Sequence, residues 1–342
     1  MALRFMDGFD HYTTTASYGY KYSTYTVSAA PSTGRRSGSA AARLGNYGGD
    51  YIQKVMDDQT TWIVGFAYKR EAAGNSELPL VQLKDSTGSV QSGLYMHCSD
   101  GLLRLWRGDM STLLATSSSA IPLNTWCYIE LKTFINDTTG TLELRVNGTT
   151  VATYTGDTKQ SSSLNTARTI RLAGGVYSSS YYGFIDDLYV CDGAGTTNND
   201  FLGDCRVDTL YPNGVGNSAQ FTPTGSSANW ENVKDTTIDE DTTNNASATS
   251  GQIDSFAFGD LSNLGSSVFG VQNNLVAKKD DAGTRTMRSV TRIGGTNYES
   301  ADYSLGTTYL DYVQLQEQNP ATAVAWTVDA INGAEFGYKV QA

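Results

Sequence analysis

Hydrophobic and polar positions alternate along two neighbouring segments, 126–135 and 141–147, and this pattern predicts a β-hairpin. The apolar face of the first segment is formed by Cys127, Ile129, Leu131 and Ile135, and that of the second by Leu142, Leu144 and Val146. Successive strand side chains point to opposite faces, so the two apolar faces coincide only if odd positions pair with even ones. We expect a four-residue loop at 137–140 with Leu131 opposite Val146. Asn147-Gly148 predicts a second tight turn with positive φ.

Short apolar runs separated by turn residues continue along the chain, which favours an all-β fold. Strands are predicted at 3–9, 41–44, 62–69, 79–83, 93–96, 102–107, 169–173 and 184–191, and later at 207–211, 253–258, 268–278, 286–293, 310–315 and 335–340. A polar, glycine-rich connection at 192–205 separates the two groups, and a long polar stretch occupies 212–251. We therefore expect two domains, 1–205 and 206–342.

The amino-acid composition and the lack of long apolar runs argue against two classes of partner, nucleic acids and membranes. The 342 residues include 24 Lys plus Arg and 35 Asp plus Glu, for a net charge of −11. An acidic chain repels phosphate backbones, so no nucleic-acid partner is expected. The N-terminus lacks the apolar run of a secretory signal, and no apolar run is long enough to span a bilayer, so no membrane association is expected either.

Three strand motifs carry a resemblance to a known fold. They are Trp-Cys-Tyr-Ile-Glu-Leu-Lys at 126–132, Thr-Leu-Glu-Leu-Arg-Val-Asn-Gly at 141–148 and Gly-Phe-Ile-Asp-Asp-Leu-Tyr-Val at 183–190. Together they resemble the concanavalin A-like jelly roll of the laminin G type. The resemblance implies that the first and last strands of residues 1–205 lie side by side. The expected architecture is this jelly-roll sandwich followed by a second β-sandwich domain.

The order of four passages resembles the virion structural proteins of tailed bacteriophages. They are Asp-Gly-Phe-Asp-His-Tyr at 7–12, the strand at 183–190, Asp-Thr-Leu-Tyr-Pro-Asn-Gly-Val-Gly-Asn-Ser at 208–218, and Asn-Pro-Ala-Thr at 319–322 followed by the segment 325–338. The resemblance implies a homo-oligomeric, non-enzymatic virion protein, assembled in the host cytoplasm, that decorates the capsid, neck or tail by docking on other virion proteins. Residues 206–342 are expected to anchor or multimerise it. The alternative is a receptor-binding adhesin whose jelly roll binds a host surface glycan, and a hydrolase ranks third.

Catalytic motifs are missing from the sequence. A Ser-His-Asp or Cys-His site needs a histidine base, and the chain has only His11 and His97. The Glu-x-Asp-x-x-Glu pattern of jelly-roll glycosidases does not occur. Asp186 and Asp187 are adjacent, so they face opposite ways along a strand and are not expected to flank a glycosidic bond. The sequence therefore predicts no catalytic residue, no cofactor and no enzyme activity.

Two kinds of binding remain as candidates, namely calcium binding and contacts made by aromatic side chains. Laminin G-like domains often bind calcium at the sandwich rim, and the weak candidates here are Asp186, Asp187, Asp239 and Asp241. The loop that holds the last two lacks the central Gly and closing Glu of an EF-hand. Tyrosine gives contact area at low entropy cost and also stacks on sugars. The interface or glycan candidates are Tyr18, Tyr20, Tyr22, Tyr177, Tyr181 and Tyr182.

Overall fold

A computed structural model describes residues 2–45, 49–160, 163–175, 181–261 and 267–342. The chain divides into two compact units, Met1–Val207 and Asp208–Ala342, compared with the predicted boundary at 205/206. Both units are built from antiparallel sheets, which confirms the expected all-β sandwich architecture. No helix in the described ranges is long and apolar enough to cross a membrane.

Unit 1 contains strands β1 to β15 and a short helix α1. Their bounds are β1 Leu3–Asp7, α1 Tyr18–Lys21, β2 Thr24–Thr26, β3 Ser32–Thr33, β4 Ala40–Leu44, β5 Tyr51–Gln59, β6 Thr61–Arg70, β7 Glu77–Lys84, β8 Val90–His97, β9 Leu102–Arg107, β10 Thr112–Ala120, β11 Cys127–Phe134, β12 Gly140–Val146, β13 Thr149–Gly156, β14 Ala167–Ala173 and β15 Gly183–Asp192.

Two sheets of unit 1 face each other across one core. The first has the strand order β13-β12-β11-β6-β15-β4-β3, with β1 also paired to β15, and the second has the order β10-β9-β8-β7-β14-β5-β2. The pairing of β1 with β15 places Asp7 opposite Leu188 and confirms that the first and last strands are neighbours. Large side chains from both sheets fill the space between them, among them Trp62, Phe66, Leu94, Leu105, Ile129, Leu144 and Ile170.

The predicted hairpin is present, but its register differs by two residues. Leu131 lies opposite Leu144, and Val146 lies opposite Ile129. The pairing of odd with even positions is kept, so the apolar faces still coincide. The shift arises because the Asn136 side chain accepts hydrogen bonds from the backbone of Thr138 and Thr139, both at 2.9 Å, and so belongs to the turn rather than the ladder. Asn147 and Gly148 have φ of 49° and 76°, as the second predicted turn requires.

Unit 2 contains strands β16 to β25 and has a smaller core. Its elements are β16 Pro212–Ala219, β17 Thr222–Thr224, a 3₁₀ turn Asn229–Asn232, β18 Asn244–Ala246, β19 Ile253–Phe258, β20 Val271–Ala277, β21 Thr286–Ile293, β22 Thr296–Glu299, β23 Tyr303–Ser304, β24 Leu310–Gln316, α2 Val328–Asn332 and β25 Glu335–Val340. The main sheet has the order β16-β19-β25-β21-β22, with β23 on β21, and two strand pairs, β17-β18 and β20-β24, accompany it.

One predicted strand of unit 2 is absent, since residues 207–211 form no strand. The long polar stretch 212–251, for which no strand was predicted, contains β16, β17 and β18. The cause is visible in β16, whose side chains alternate between half-buried and exposed and are mostly small or polar. Because β16 is held by backbone pairing with β19, its sequence has few of the apolar positions from which a strand is predicted.

Candidate functional site

The outer face of the seven-stranded sheet carries a row of side chains that the core does not use. Ladder pairing places Arg171 of β14 opposite Gln82 of β7, Gln82 opposite Gly93 of β8, and Gly93 opposite Trp106 of β9. The sequence neighbours of each of these residues in the strands belong largely to the buried core. Because strand side chains alternate, the row itself must point away from that core.

Loops at one end of this face turn the row into a groove of about 460 Å³. Gln82, Lys84 and Arg171 form its floor. Its walls come from the turn between β7 and β8, the turn between β9 and β10, and the loop after β13. The wall residues are Gly88, Ser89, Val90, Asp109, Ser111 and Gln160.

Local hydrogen bonds hold the first wall in shape. Asp85 Oδ1 accepts from the backbone N–H of Thr87 and of Ser89, at 2.9 and 3.1 Å, and Asp85 Oδ2 accepts from Gln91 Nε2 at 2.8 Å. Burial alone raises the pKa of Asp85, but the bonds from Thr87 and Gln91 outweigh it, and the pKa lies below its usual value. The Gln160 backbone N–H donates to Gln91 Oε1 at 2.9 Å and so ties the loop after β13 to the same frame.

A hydrogen-bond network fixes the Gln82 amide in the floor. The Tyr95 hydroxyl donates to Asp109 Oδ1 at 2.6 Å, and Gln82 Nε2 donates to the Tyr95 oxygen at 2.8 Å and to Asp109 Oδ1 at 3.0 Å. The Tyr95 ring covers Gly93, where an added Cβ would lie 2.6 Å from the ring. Burial and the bond to Asp109 raise the pKa of Tyr95 well above its usual value, so the hydroxyl stays protonated.

Two buried polar atoms of the floor have no hydrogen-bond partner among the residues that the structure describes. They are Gln82 Oε1, on a side chain only 4% exposed, and Arg171 Nε. Leaving a buried polar group unsatisfied costs about 1–3 kcal/mol. Both residues line the groove, so within the described part of the chain its floor holds one unpaired acceptor and one unpaired cationic donor.

The surroundings of Lys84 and Arg171, the two cations of the floor, disfavour their charged forms. Burial, and next the charge of Arg171, lower the pKa of Lys84, and burial lowers the pKa of Arg171. Asp109 is the carboxylate that acts on both, and it is already engaged by Tyr95 and Gln82. The Arg171 guanidinium also stacks on the Tyr51 ring, 3.8 Å from its centroid. An anion bound in the groove would stabilise the charged forms of both side chains.

The calcium candidates Asp186 and Asp187 lie elsewhere, fully buried in β15, and are paired with protein groups. Asp187 accepts from Arg35 and Arg36, and at 2.8 Å from the backbone N–H of Val207. Asp186 Oδ2 accepts from the backbone N–H of Arg35 at 2.9 Å. The partners of the two carboxylates are thus the segment that holds Arg35 and Arg36, and Val207 at the end of unit 1.

The buried pair of Asp186 and Asp187 should make the stability of the protein depend on pH. Burial, and next the Asp187 charge, raise the pKa of Asp186 to about 7. The pKa of an aspartate in the unfolded chain is about 3.9. The stability that protonated Asp186 contributes is therefore complete below that pH and is lost as the pH rises to about 7. Urea unfolding at pH 5 and pH 8 should show a larger loss for the wild type than for Asp186→Asn. His11, whose pKa burial lowers to about 4, titrates in both proteins and cancels. Equal losses would contradict the assignment.

Asp239 and Asp241 are exposed in unit 2 and are bound by neighbouring side chains. Asp241 accepts from Lys278 Nζ at 2.6 Å and from the Tyr309 hydroxyl at 2.9 Å, and Asp239 Oδ1 accepts from Thr243 Oγ1 at 2.9 Å. No group of three or more His, Cys, Asp or Glu side chains suited to a metal occurs in the described part of the chain. The four cysteines are buried free thiols.

Two of the six tyrosine candidates are buried in the core. Tyr18 and Tyr22 are core residues, and Tyr22 donates to the buried Asp7 at 2.9 Å, so their assignment to an interface is wrong. Tyr20 is half-buried. Tyr181 is 52% exposed, and the Tyr182 ring is covered by the Arg43 guanidinium at 3.9 Å. Tyr177 lies outside the described residues.

Comparisons with known proteins give matches among solved structures. No protein-family profile matches the chain, and no curated protein matches it. Solved structures do match. An alginate lyase matches at 13% identity and a TM-score of 0.34, over 51% of this chain and 88% of the lyase. A Trypanosoma rangeli sialidase matches at 11% and 0.33, over 44% of this chain and 25% of the sialidase. A pentraxin from Limulus polyphemus matches at 18% and 0.30, over 41% and 68%.

These matches correct one expectation from the sequence. Structures of this kind include an alginate lyase and sialidases, which are enzymes, and this finding overturns the prediction that the chain is not an enzyme. At such low identities and TM-scores the likeness carries no activity over to this chain. None of the three is a virion protein, and the matches leave the virion resemblance untested.

Proposed function

We propose that this protein is a tailed-phage virion component whose unit 1 binds a host surface saccharide in the groove above β7 and β14. The observation that carries the binding role is the Gln82 carboxamide, 96% buried yet with Oε1 unpartnered on the groove floor. The virion role rests on the order of the four sequence passages described above.

Saccharides match the chemistry of the groove. A sugar hydroxyl both donates and accepts, so it satisfies Gln82 Oε1 and still receives a bond from a cation or backbone group. Trp106 lies three strands from Arg171 on the same face, beyond the residues that line the groove, and is half-buried, which leaves ring surface for the apolar side of a further sugar unit. Small-ligand sites commonly combine aromatic surface with a few fixed polar groups.

In this proposal unit 2 provides attachment to other virion proteins and to further copies of the chain. Strand β16 stands at one edge of the main sheet, and its Val215 is 64% exposed. An exposed sheet edge offers unpaired backbone groups to a neighbouring chain.

A glycan array probed with the full-length protein tests the binding role. We expect Gln82→Met, which keeps the volume and removes the carboxamide, to weaken binding about tenfold or more, since a hydrogen bond to a buried group is lost. The matched control is Gln53→Met, on the same sheet face but outside the groove. Equal binding by both variants, or no saccharide bound by the wild type, would refute the proposal.

A further inference from the structure

The groove floor has a charge that a neutral sugar leaves unused. We infer that the saccharide is acidic and that its carboxylate binds Arg171 beside Lys84, an inference that rests on the proposed function. Arg171 and Lys84 stand on adjacent strands, opposite Gln82 and Thr169. They are close enough for Arg171 to lower the pKa of Lys84.

Arg171 has the chemistry that a carboxylate requires. Its guanidinium lies over the Tyr51 ring, with Cζ 3.8 Å from the centroid, and its Nε is buried without a partner in the described part of the chain. A guanidinium binds a carboxylate side-on through two parallel N–H groups, and such bonds are about twice as strong as neutral ones. Because Arg171 lines the groove, its guanidinium is placed to make that contact.

Gln82, the remaining residue of the floor, sets a second requirement for the ligand. Gln82 Oε1 accepts and does not donate, so it requires a hydroxyl or an N–H on the ligand. Gln82 and Arg171 are directly opposite in the ladder, so both groups are met within one monosaccharide. A sugar that carries a carboxylate and a neighbouring hydroxyl, such as a uronic or sialic acid, meets both requirements.

Negative charge opposes such a ligand both at the groove, where the Asp109 carboxylate already accepts bonds from Tyr95 and Gln82, and at a distance, through the charge of the whole chain. The net charge is −11, which repels a polyanion on approach. At physiological ionic strength this repulsion is screened beyond about 8 Å. The two cations in contact with the carboxylate are partly desolvated and screened less, so they decide the affinity.

Calorimetry on the full-length protein tests the inference with matched ligand pairs. The ligands are short oligomers of galacturonate, glucuronate and N-acetylneuraminate, each as the free acid and as its neutral methyl ester. We expect at least one acid to bind about tenfold or more tightly than its ester, because the ester cannot pair with Arg171. Arg171→Gln should remove this preference. Arg168→Gln, an equal change of charge on the same strand outside the groove lining, should keep it.

The outcomes separate this inference from the proposed function. Esters that bind as well as the acids would show that saccharide binding is real but independent of charge. A preference for the acid that survives Arg171→Gln would show that another group carries it, and either result would overturn the inference. Neutral saccharides that bind while every acid fails would overturn the inference in the same way. If neither acids nor neutral saccharides bind, both the inference and the proposed function fail.

Discussion

A Leu144→Asp variant is expected to lose about 4–5 kcal/mol or more of the free energy of unfolding of unit 1. Leu144 is completely buried, lies opposite Leu131 in the β11–β12 ladder and packs in the core between the two sheets. Truncating a buried leucine alone costs about 2–5 kcal/mol, and the new carboxylate must also be buried without a partner or take up a proton.

Chemical denaturation of the full-length protein measures this loss. Thr141→Asp is the matched control, because it places the same carboxylate on an exposed position of the same strand. It should change stability by less than about 0.5 kcal/mol. Equal unfolding midpoints for the two variants would show that the β12 side chains face the other way.

An Asp187→Ala variant should lose about 3–5 kcal/mol of stability. The Asp187 carboxylate is fully buried and holds the Arg35 and Arg36 guanidinium groups, which keep only 16% and 23% of their side-chain surface exposed. Removing one partner of a buried ion pair leaves uncompensated charge, which is the costly change. Asp187 also has φ of 50°, a region that aspartate tolerates better than alanine.

The control for Asp187→Ala is Asp200→Ala. Asp200 pairs with Lys132 at 2.9 Å on the surface, with 66% of its side chain exposed. An exposed pair contributes about 0–1 kcal/mol, so this variant should unfold almost as the wild type does. The Asp187 variant should also be cleaved faster by protease near 204–207, since Val207 loses its bond to the carboxylate. Similar midpoints for the two variants would contradict the role of Asp187.

The sandwich could be predicted because its signals are local. The parity of apolar positions in β11 and β12, and Asn147-Gly148 between β12 and β13, both lie within a short stretch of sequence. The register was missed by two residues because it depends on the Asn136 side chain, which holds the turn through bonds to Thr138 and Thr139. Parity cannot distinguish a ladder residue from such a cap.

The assignment of Tyr22 to an interface failed for a reason outside the local sequence. A tyrosine in a polar stretch is expected at a surface, but Tyr12 and Tyr22 find a partner for their hydroxyls in Asp7, at 2.7 and 2.9 Å. That carboxylate is itself buried and pairs with Lys21. Once a buried polar partner is present, the rings pack in the core.

The groove was missed because its floor joins strands that are distant in sequence. Gln82 and Arg171 meet only when β7 pairs with β14. One local signal was present. Each is a polar residue between two apolar ones, Val81 and Leu83 or Ile170 and Leu172, and alternation in a buried strand places such a residue on the opposite face. Its partner and the walls of the groove are not encoded locally.

The most direct test of the central claim is a crystal structure of the full-length protein with a bound acidic oligosaccharide. The account predicts the sugar in the groove, with its carboxylate on Arg171 and a hydroxyl within hydrogen-bond distance of Gln82 Oε1. A sugar bound elsewhere, for example at the exposed Tyr181, with the groove left empty at saturating ligand, would contradict it.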